Sequence, residues 1–269
     1  MPTHRLLIEY DGTKFAGWQA QASGRTVQGT LLDAMRAVTG EREIDLQGAG
    51  RTDAGVHALG QVASLRTRGR LDPATIRRRL DETLPADLAV RRIDLVPPRF
   101  HARHDALARC YRYQIAARRS AFGKRTTWWI AEPLDLDAMA VAAHSFEGRH
   151  DFRPFAKRGG EKDSTLVEVE LCRLAVVEDF VIVRLVASHF LWNQVRRMVG
   201  ALVAIGRGAA AADDVPRWLS GASTPPLLAA PAAGLFLETV RYPGEEWSLP
   251  PLVPVGAPLL STVQARVLG

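Results

Sequence analysis

Cysteine is nearly absent from this chain of 269 residues: only Cys110 and Cys172 occur. With no Cys-x-x-Cys pair and no third partner, neither a disulfide framework nor a thiolate zinc site is indicated, and the two read as reduced thiols in strands. Lysine is almost as scarce. It stands at positions 14, 124, 157 and 162, which leaves 31 of the 35 basic side chains as arginine. No run reaches the roughly 18 uninterrupted apolar residues of a membrane span, and Met1-Pro-Thr-His-Arg5 leads into a strand-like run without the apolar core of a signal peptide. A cytoplasmic protein with no membrane partner is expected. Neither Gly-x-Gly-x-x-Gly nor a Walker A sequence occurs, so nucleotide cofactors gain no support. A content of 47% hydrophobic and 24% charged residues excludes collagen-like and disordered chains, and the length allows one large domain or two ordinary ones.

Arginine offers planar, bidentate contacts to phosphate and stacks on bases, so its excess suits a polyanionic partner. A GC-rich coding bias that turns lysine into arginine everywhere gives the same composition. Distribution says more. Between Val96 and Trp128, Arg99, Arg103, Arg109, Arg112, Arg118, Arg119, Lys124 and Arg125 face the single acid Asp105, a local excess larger than the +6 of the whole chain. That is the electrostatic footprint of a nucleic-acid binder, and Arg109, Arg112, Arg118 and Arg119 are candidate phosphate contacts.

The apolar run Leu6 to Tyr10 predicts a strand ended by Asp11-Gly12. Val27, Leu31, Leu32, Met35 and Val38 predict a helix, with Thr26 as N-cap and Gly40 as stop. Short extended segments follow at 46–50 and 56–65, then a helix from Asp72-Pro73 to about Leu84 and a strand at 88–96 closed by Pro97-Pro98. The second half repeats the theme: a strand near 106–115, a helix from Leu134-Asp135, strands at 165–176 and 180–189 joined at Glu178-Asp179, a helix over 191–205, a short helix at 215–219 and a strand at 235–242. This pattern predicts an α+β protein of two ferredoxin-like (split-βαβ) subdomains forming a broad, mostly antiparallel sheet with a central basic cleft. The expected domains are residues 1–104 and 105–246. The Pro-rich tail, 247–269, is expected to be poorly ordered.

The densest chemistry lies in Gly50-Arg51-Thr52-Asp53-Ala54-Gly55-Val56-His57. Two glycines bracket a connector that presents a carboxylate with a guanidinium two residues before it. An Asp beside Arg stays ionised and suits a nucleophile or an electrostatic stabiliser, whereas an Asp in a Gly-flanked loop equally suits an Asx turn. No zinc-type ligand set accompanies His101, His104, His144 or His150, so no metal is expected. In the segment Arg109-Cys-Tyr-Arg-Tyr113, strand alternation puts Arg109, Tyr111 and Tyr113 on one face and Cys110 and Arg112 on the other. The first face suits base stacking, and it equally suits tyrosines half buried under a sheet.

Several segments together resemble the tRNA pseudouridine synthase A family: Tyr10-Asp-Gly-Thr-Lys-Phe-Ala-Gly-Trp-Gln-Ala-Gln21, Thr26-Val-Gln28, Gly48-Ala-Gly-Arg-Thr-Asp-Ala-Gly-Val-His-Ala58, Phe100-His-Ala-Arg103, Arg109 to Tyr113, Val195-Arg-Arg-Met-Val-Gly200 and Ala230-Pro-Ala-Ala-Gly-Leu235. The resemblance spans about residues 5–243. It implies that Asp53 attacks the target nucleotide, that Arg51 pairs with it and helps displace the base, that Tyr111 stacks on the flipped uracil, that Leu235 walls the pocket, and that Arg109 and Arg197 bind substrate. It further implies a homodimer acting on tRNA, converting uridine at positions 38, 39 and 40 of the anticodon stem-loop to pseudouridine without metal or organic cofactor. Breaking an N-glycosidic bond leaves an electron-poor sugar that a carboxylate can trap, and a stacked base must first be extruded. Leu191-Trp-Asn-Gln-Val195 departs from the family pattern at Trp192 and Gln194, and Asp151 to Lys157 matches it loosely; both bear on local tRNA contacts. Competing readings are a non-catalytic RNA-binding module, a nucleoside hydrolase releasing free uracil, and a metal-dependent phosphoryl-transfer enzyme.

Overall fold

The computed structural model describes residues 1–69, 72–157, 164–226, 228–256 and 265–268. In chain order β1 (Thr3–Tyr10), α1 (Val27–Thr39), β2 (Asp45–Gly48), β3 (His57–Arg66), α2 (Pro73–Thr83) and β4 (Leu88–Val96) come first. Then follow β5 (Ala108–Ala116), β6 (Trp128–Trp129), α3 (Leu136–His144), β7 (Gly148–Asp151), β8 (Leu166–Val177), β9 (Phe180–Ala187), α4 (Gln194–Gly206) and α5 (Asp214–Leu219). Last come β10 (Leu235–Arg241) and β11 (Arg266–Leu268). The protein is α+β with mostly antiparallel strand pairs. Among the described residues no helix is long and apolar enough to cross a membrane.

The helices begin where side chains can take up free N–H groups. Thr26 Oγ1 accepts from Gly29 N–H, Asp72 from Thr75 and Asp135 from Ala138. Helix α1 ends at Gly40, whose φ of +74° suits glycine, and buries Val27, Leu31, Met35 and Val38 as one stripe.

The chain divides into two compact units. The first comprises Met1–Leu107 and Phe236–Trp247. Its strands run β10-β3-β1-β4, with β2 also paired to β3. β1 is antiparallel to β3 and β4, and β10 lies parallel to β3 with Phe236 opposite His57. A single cut after residue 104 assigns β10 to the later half, but the chain returns this strand to β3. The approach is close enough that a Cβ on Gly60 would lie 2.5 Å from the Glu238 carbonyl oxygen.

The second unit comprises Ala108–Leu235 and Ser248–Gly269. Its strands run β11-β8-β9-β5, with β6 parallel to β5 and β7 antiparallel to β8. The β8–β9 hairpin turns at Glu178, which takes φ +50°. Phe146, Phe152 and Phe155 are fully buried, and Trp218 of α5 meets Phe155 edge-on. Cys110 and Cys172 are buried and form no disulfide with each other, one on β5 and the other on β8.

The described parts of the Pro-rich tail, 248–256 and 265–268, pack against β5, β8 and β9. Arg112 of β5 and Arg184 of β9 are directly opposite each other, and both are buried, at 4% and 7% exposure. Like charges so placed repel and need acceptors. The tail supplies them: Arg184 donates to the Pro250 carbonyl (2.6 Å) and Arg112 to that of Val253 (2.7 Å). Gln114 donates to the Val255 carbonyl and accepts its N–H at 2.8 Å. Proline lacks a donor but keeps its carbonyl, so an extended Pro-rich segment offers the acceptors that buried guanidiniums require. Leu252 and Ala265 pack on Ala116, Val177, Phe180 and Ile182, and β11 pairs with β8. Deleting residues 248–269 is expected to lower the melting temperature by several degrees and speed amide exchange in β5 and β9. Each orphaned donor costs about 1–3 kcal/mol. A melt within 1 °C or so of the full chain would show the tail to be dispensable.

Candidate active site

The connector between β2 and β3, residues 49–56, carries Arg51, Thr52 and Asp53. Ala49 N–H still donates to the Val62 carbonyl of β3 (2.7 Å), and the rest of the connector takes its shape from the segment that follows β1. Trp18 N–H donates to the Thr52 carbonyl (3.0 Å) and Gly55 N–H to that of Phe15 (3.3 Å), while Val56 N–H closes a turn onto the Asp53 carbonyl (3.1 Å). Gln61 donates to the Gly50 carbonyl at 2.9 Å. Such contact leaves no room for side chains. A Cβ on Gly12 would sit 2.0 Å from the Val56 oxygen, and one on Gly17, at φ +106°, would sit 2.8 Å from the Thr52 oxygen.

Below the connector, the Tyr10 hydroxyl and Thr52 Oγ1 share a buried 2.8 Å hydrogen bond. Burial pushes the Tyr10 phenol up to about 12. His57 is buried, stacks on Phe236 at 4.7 Å and accepts the Gly12 N–H at Nδ1 (3.0 Å). Asp11 Oδ1 approaches the same ring nitrogen at 3.3 Å. Arg25 clamps the other end of the opening segment. Its guanidinium lies 4.1 Å over the Phe15 ring and holds both oxygens of Asp87, keeping that carboxyl below its usual range. Within this frame Thr52 is buried, Asp53 half-buried and Arg51 exposed.

The remaining sequence-derived candidates lie in the second unit. Tyr111 of β5 is 8% exposed and meets Phe190 edge-on at 5.2 Å. Arg109 donates to the Ser188 carbonyl (2.7 Å), and Arg197 of α4 to that of Ala156 (2.7 Å). Leu235 opens β10 and is buried. Tyr113 shares a face with Tyr111, but it is fully buried, with its hydroxyl on the Pro231 carbonyl (2.8 Å) and Gly234 against its ring. Base stacking is therefore not open to it, and burial raises its phenol pKa.

The basic stretch divides likewise. Arg112 is committed to the tail, Arg118 pairs with Asp179 (2.6 Å) and Arg119 lies 5.6 Å over Trp129. Among the described residues no group of three His, Cys, Asp or Glu side chains could hold a metal ion. Sequence reasoning missed the Tyr10–Thr52 bond and the part played by Phe190; the first was signalled by a tyrosine ending an apolar strand, the second by nothing local.

A family model described as tRNA pseudouridine synthase matches residues 6–105 and 142–243. The chain belongs to that family, isomerases that convert uridine to pseudouridine. It is 42% identical over 245 residues to tRNA pseudouridine synthase A of Syntrophotalea carbinolica, covering 90% of this chain and 97% of that one. It is likewise 41% identical over 247 residues to that of Moorella thermoacetica and 42% over 248 residues to that of Rhodopseudomonas palustris, covering 90% of this chain and all of each relative.

Two outcomes test the frame. Gly12→Ala is expected to destabilise the fold by roughly 2–4 kcal/mol through backbone overlap, whereas Gly40→Ala, with open space around it, costs only about 1 kcal/mol. Denaturant melts separate the two. Because the folded pKa of Tyr10 lies above its unfolded value near 10, its contribution is complete below pH 10 and drains away between pH 10 and 12. Tyrosinate absorbance should show one phenol ionising late in that window, with Tyr10→Phe abolishing the step.

Proposed function

We propose that this protein converts uridine at positions 38, 39 and 40 of the tRNA anticodon stem-loop to pseudouridine, as a cytoplasmic homodimer of ferredoxin-like (split-βαβ) subdomains bounding a basic cleft. The observation that carries the reading is the rigid setting of Asp53: half-buried, on a connector whose backbone is held on both sides. Isomerisation breaks the bond from C1′ to N1, rotates the uracil and forms the bond from C1′ to C5. N1 ends with the proton that C5 loses, so no redox partner is needed.

Asp53 serves either route through this sequence. Its carboxylate adds to C1′ as the bond to N1 breaks and leaves again when C5 attacks C1′, or it takes the 2′ proton as the uracil anion departs, giving a glycal that is reprotonated at C2′ when C5 bonds to C1′. Exposed Arg51, two residues away, enters the stack and fills the vacancy left by the extruded base. Tyr111 stacks on the uracil and assists removal of the C5 proton. Leu235 forms the apolar wall of the uracil pocket. Arg109 and Arg197 hold the substrate backbone. No step calls on a metal or an organic cofactor.

Asp53→Asn keeps the size of the side chain and removes its charge. Pseudouridine formation in anticodon-arm RNA, mapped chemically after incubation without cofactor, should fall by at least about 1000-fold, with tRNA affinity within twofold of wild type. Wild-type protein that binds tRNA without forming pseudouridine would mark a binding module, and release of free uracil would mark a hydrolase.

A further inference from the structure

The segment between β9 and α4 carries more than the contacts already described. Ser188 takes Arg109 and Phe190 holds the Tyr111 ring, so residues 188–190 border two groups assigned to substrate. Two residues further on, Trp192 stands 50% exposed, among the largest apolar side chains that the described surface leaves in water. It is not loose. Lys157 Nζ lies 4.2 Å from its ring centroid, and Lys157 N–H donates to the Trp192 carbonyl at 2.9 Å, so cation and indole are tied through main chain as well as side chain.

The turn beneath is equally set. Asn193 adopts φ +63°, a conformation Asn tolerates better than most residues, and its Oδ1 accepts from Arg196 (3.1 Å). Gln194 Oε1 accepts the Leu191 N–H at 2.8 Å. An indole held this firmly yet half open to water adds little to the core. A rigid, cation-backed aromatic surface is what a nucleobase stacks on, and a nearby ammonium answers the phosphate that follows the base.

We propose that Trp192 is a stacking platform for an unpaired base of the RNA substrate, with Lys157 contacting the adjoining phosphate. The pair thereby sets affinity for the loop bearing the target uridine. This rests on the reading of Tyr111 and Arg109 as substrate contacts. It predicts a binding effect and not a chemical one, since neither group touches the reacting atoms.

The test uses the full chain carrying Asp53→Asn, so that binding is read without turnover, and a synthetic anticodon stem-loop hairpin as probe. Trp192→Ala should weaken binding about tenfold, and Trp192→Phe by less than about threefold. A hairpin with abasic sites in its loop should bind both Trp192 forms alike. Lys157→Gln should lower the slope of log affinity against log salt by about 0.7. In the active chain Trp192→Ala should raise KM for the hairpin while kcat stays within twofold, with an unchanged melting temperature.

Equal binding of the intact hairpin by Trp192→Ala and wild type overturns the proposal, as does a loss that persists on the abasic hairpin. A wild-type chain that shows this Trp192 dependence yet forms no pseudouridine overturns the catalytic reading alone. Pseudouridine formation with no Trp192 dependence overturns the platform alone.

Discussion

The proposed role of Asp53 requires that the backbone carrying its carboxylate keep its place when RNA arrives. Residues 49–56 lie between strands, and only Ala49 still bonds to β3 through main chain. The stiffness comes from contact between two stretches of main chain, so close that Gly12 and Gly17 have no space for a Cβ. The opening segment is in turn clamped by Arg25 between Phe15 and Asp87. Its glycines, aromatics and arginine therefore fix the backbone that carries Asp53.

Arginine does two kinds of work here. In the second unit Arg109, Arg112, Arg184, Arg196 and Arg197 each donate to a main-chain carbonyl. A planar fork can satisfy a buried carbonyl while its stem packs among apolar neighbours, which the compact, strongly hydrated ammonium of lysine does poorly. The local excess of positive charge along 96–128 is therefore not a count of phosphate contacts. Part of it holds one stretch of main chain to another.

The elements with a strong period and a cap were legible in the sequence. Thr26 and Gly40 bound α1, Asp72 and Asp135 start α2 and α3, and the hairpin at Glu178-Asp179 stands where alternation breaks. Strands β6 and β7, of two and four residues, are too short to show any period. Helix α4 begins three residues later than its apolar face suggests, because Asn193 turns left-handed and the Gln194 side chain takes up the Leu191 N–H. Asp53, Arg51 and Tyr111 stood out because motif and chemistry coincided. The burial of Tyr113 did not, since strand alternation assigns a face without saying what covers it. Nor did the return of β10 or the seating of the tail, where both partners lie far apart in the chain.

These long-range contacts converge on β5. Tyr113 is gripped on one face by the Pro231 carbonyl and Gly234, and Arg196 exchanges hydrogen bonds with the main chain of Ala230, so the segments 109–113, 195–200 and 230–235 form one packed unit. On the other face Arg112 and Gln114 are held by Val253 and Val255. Because these residues alternate along the strand, the two sets of contacts follow directly after Tyr111 in sequence and oppose each other across the sheet. A shift of β5 by one residue would break both sets at once. The tail, about 140 residues distant in sequence, is thus one of the elements that decide where the Tyr111 ring stands.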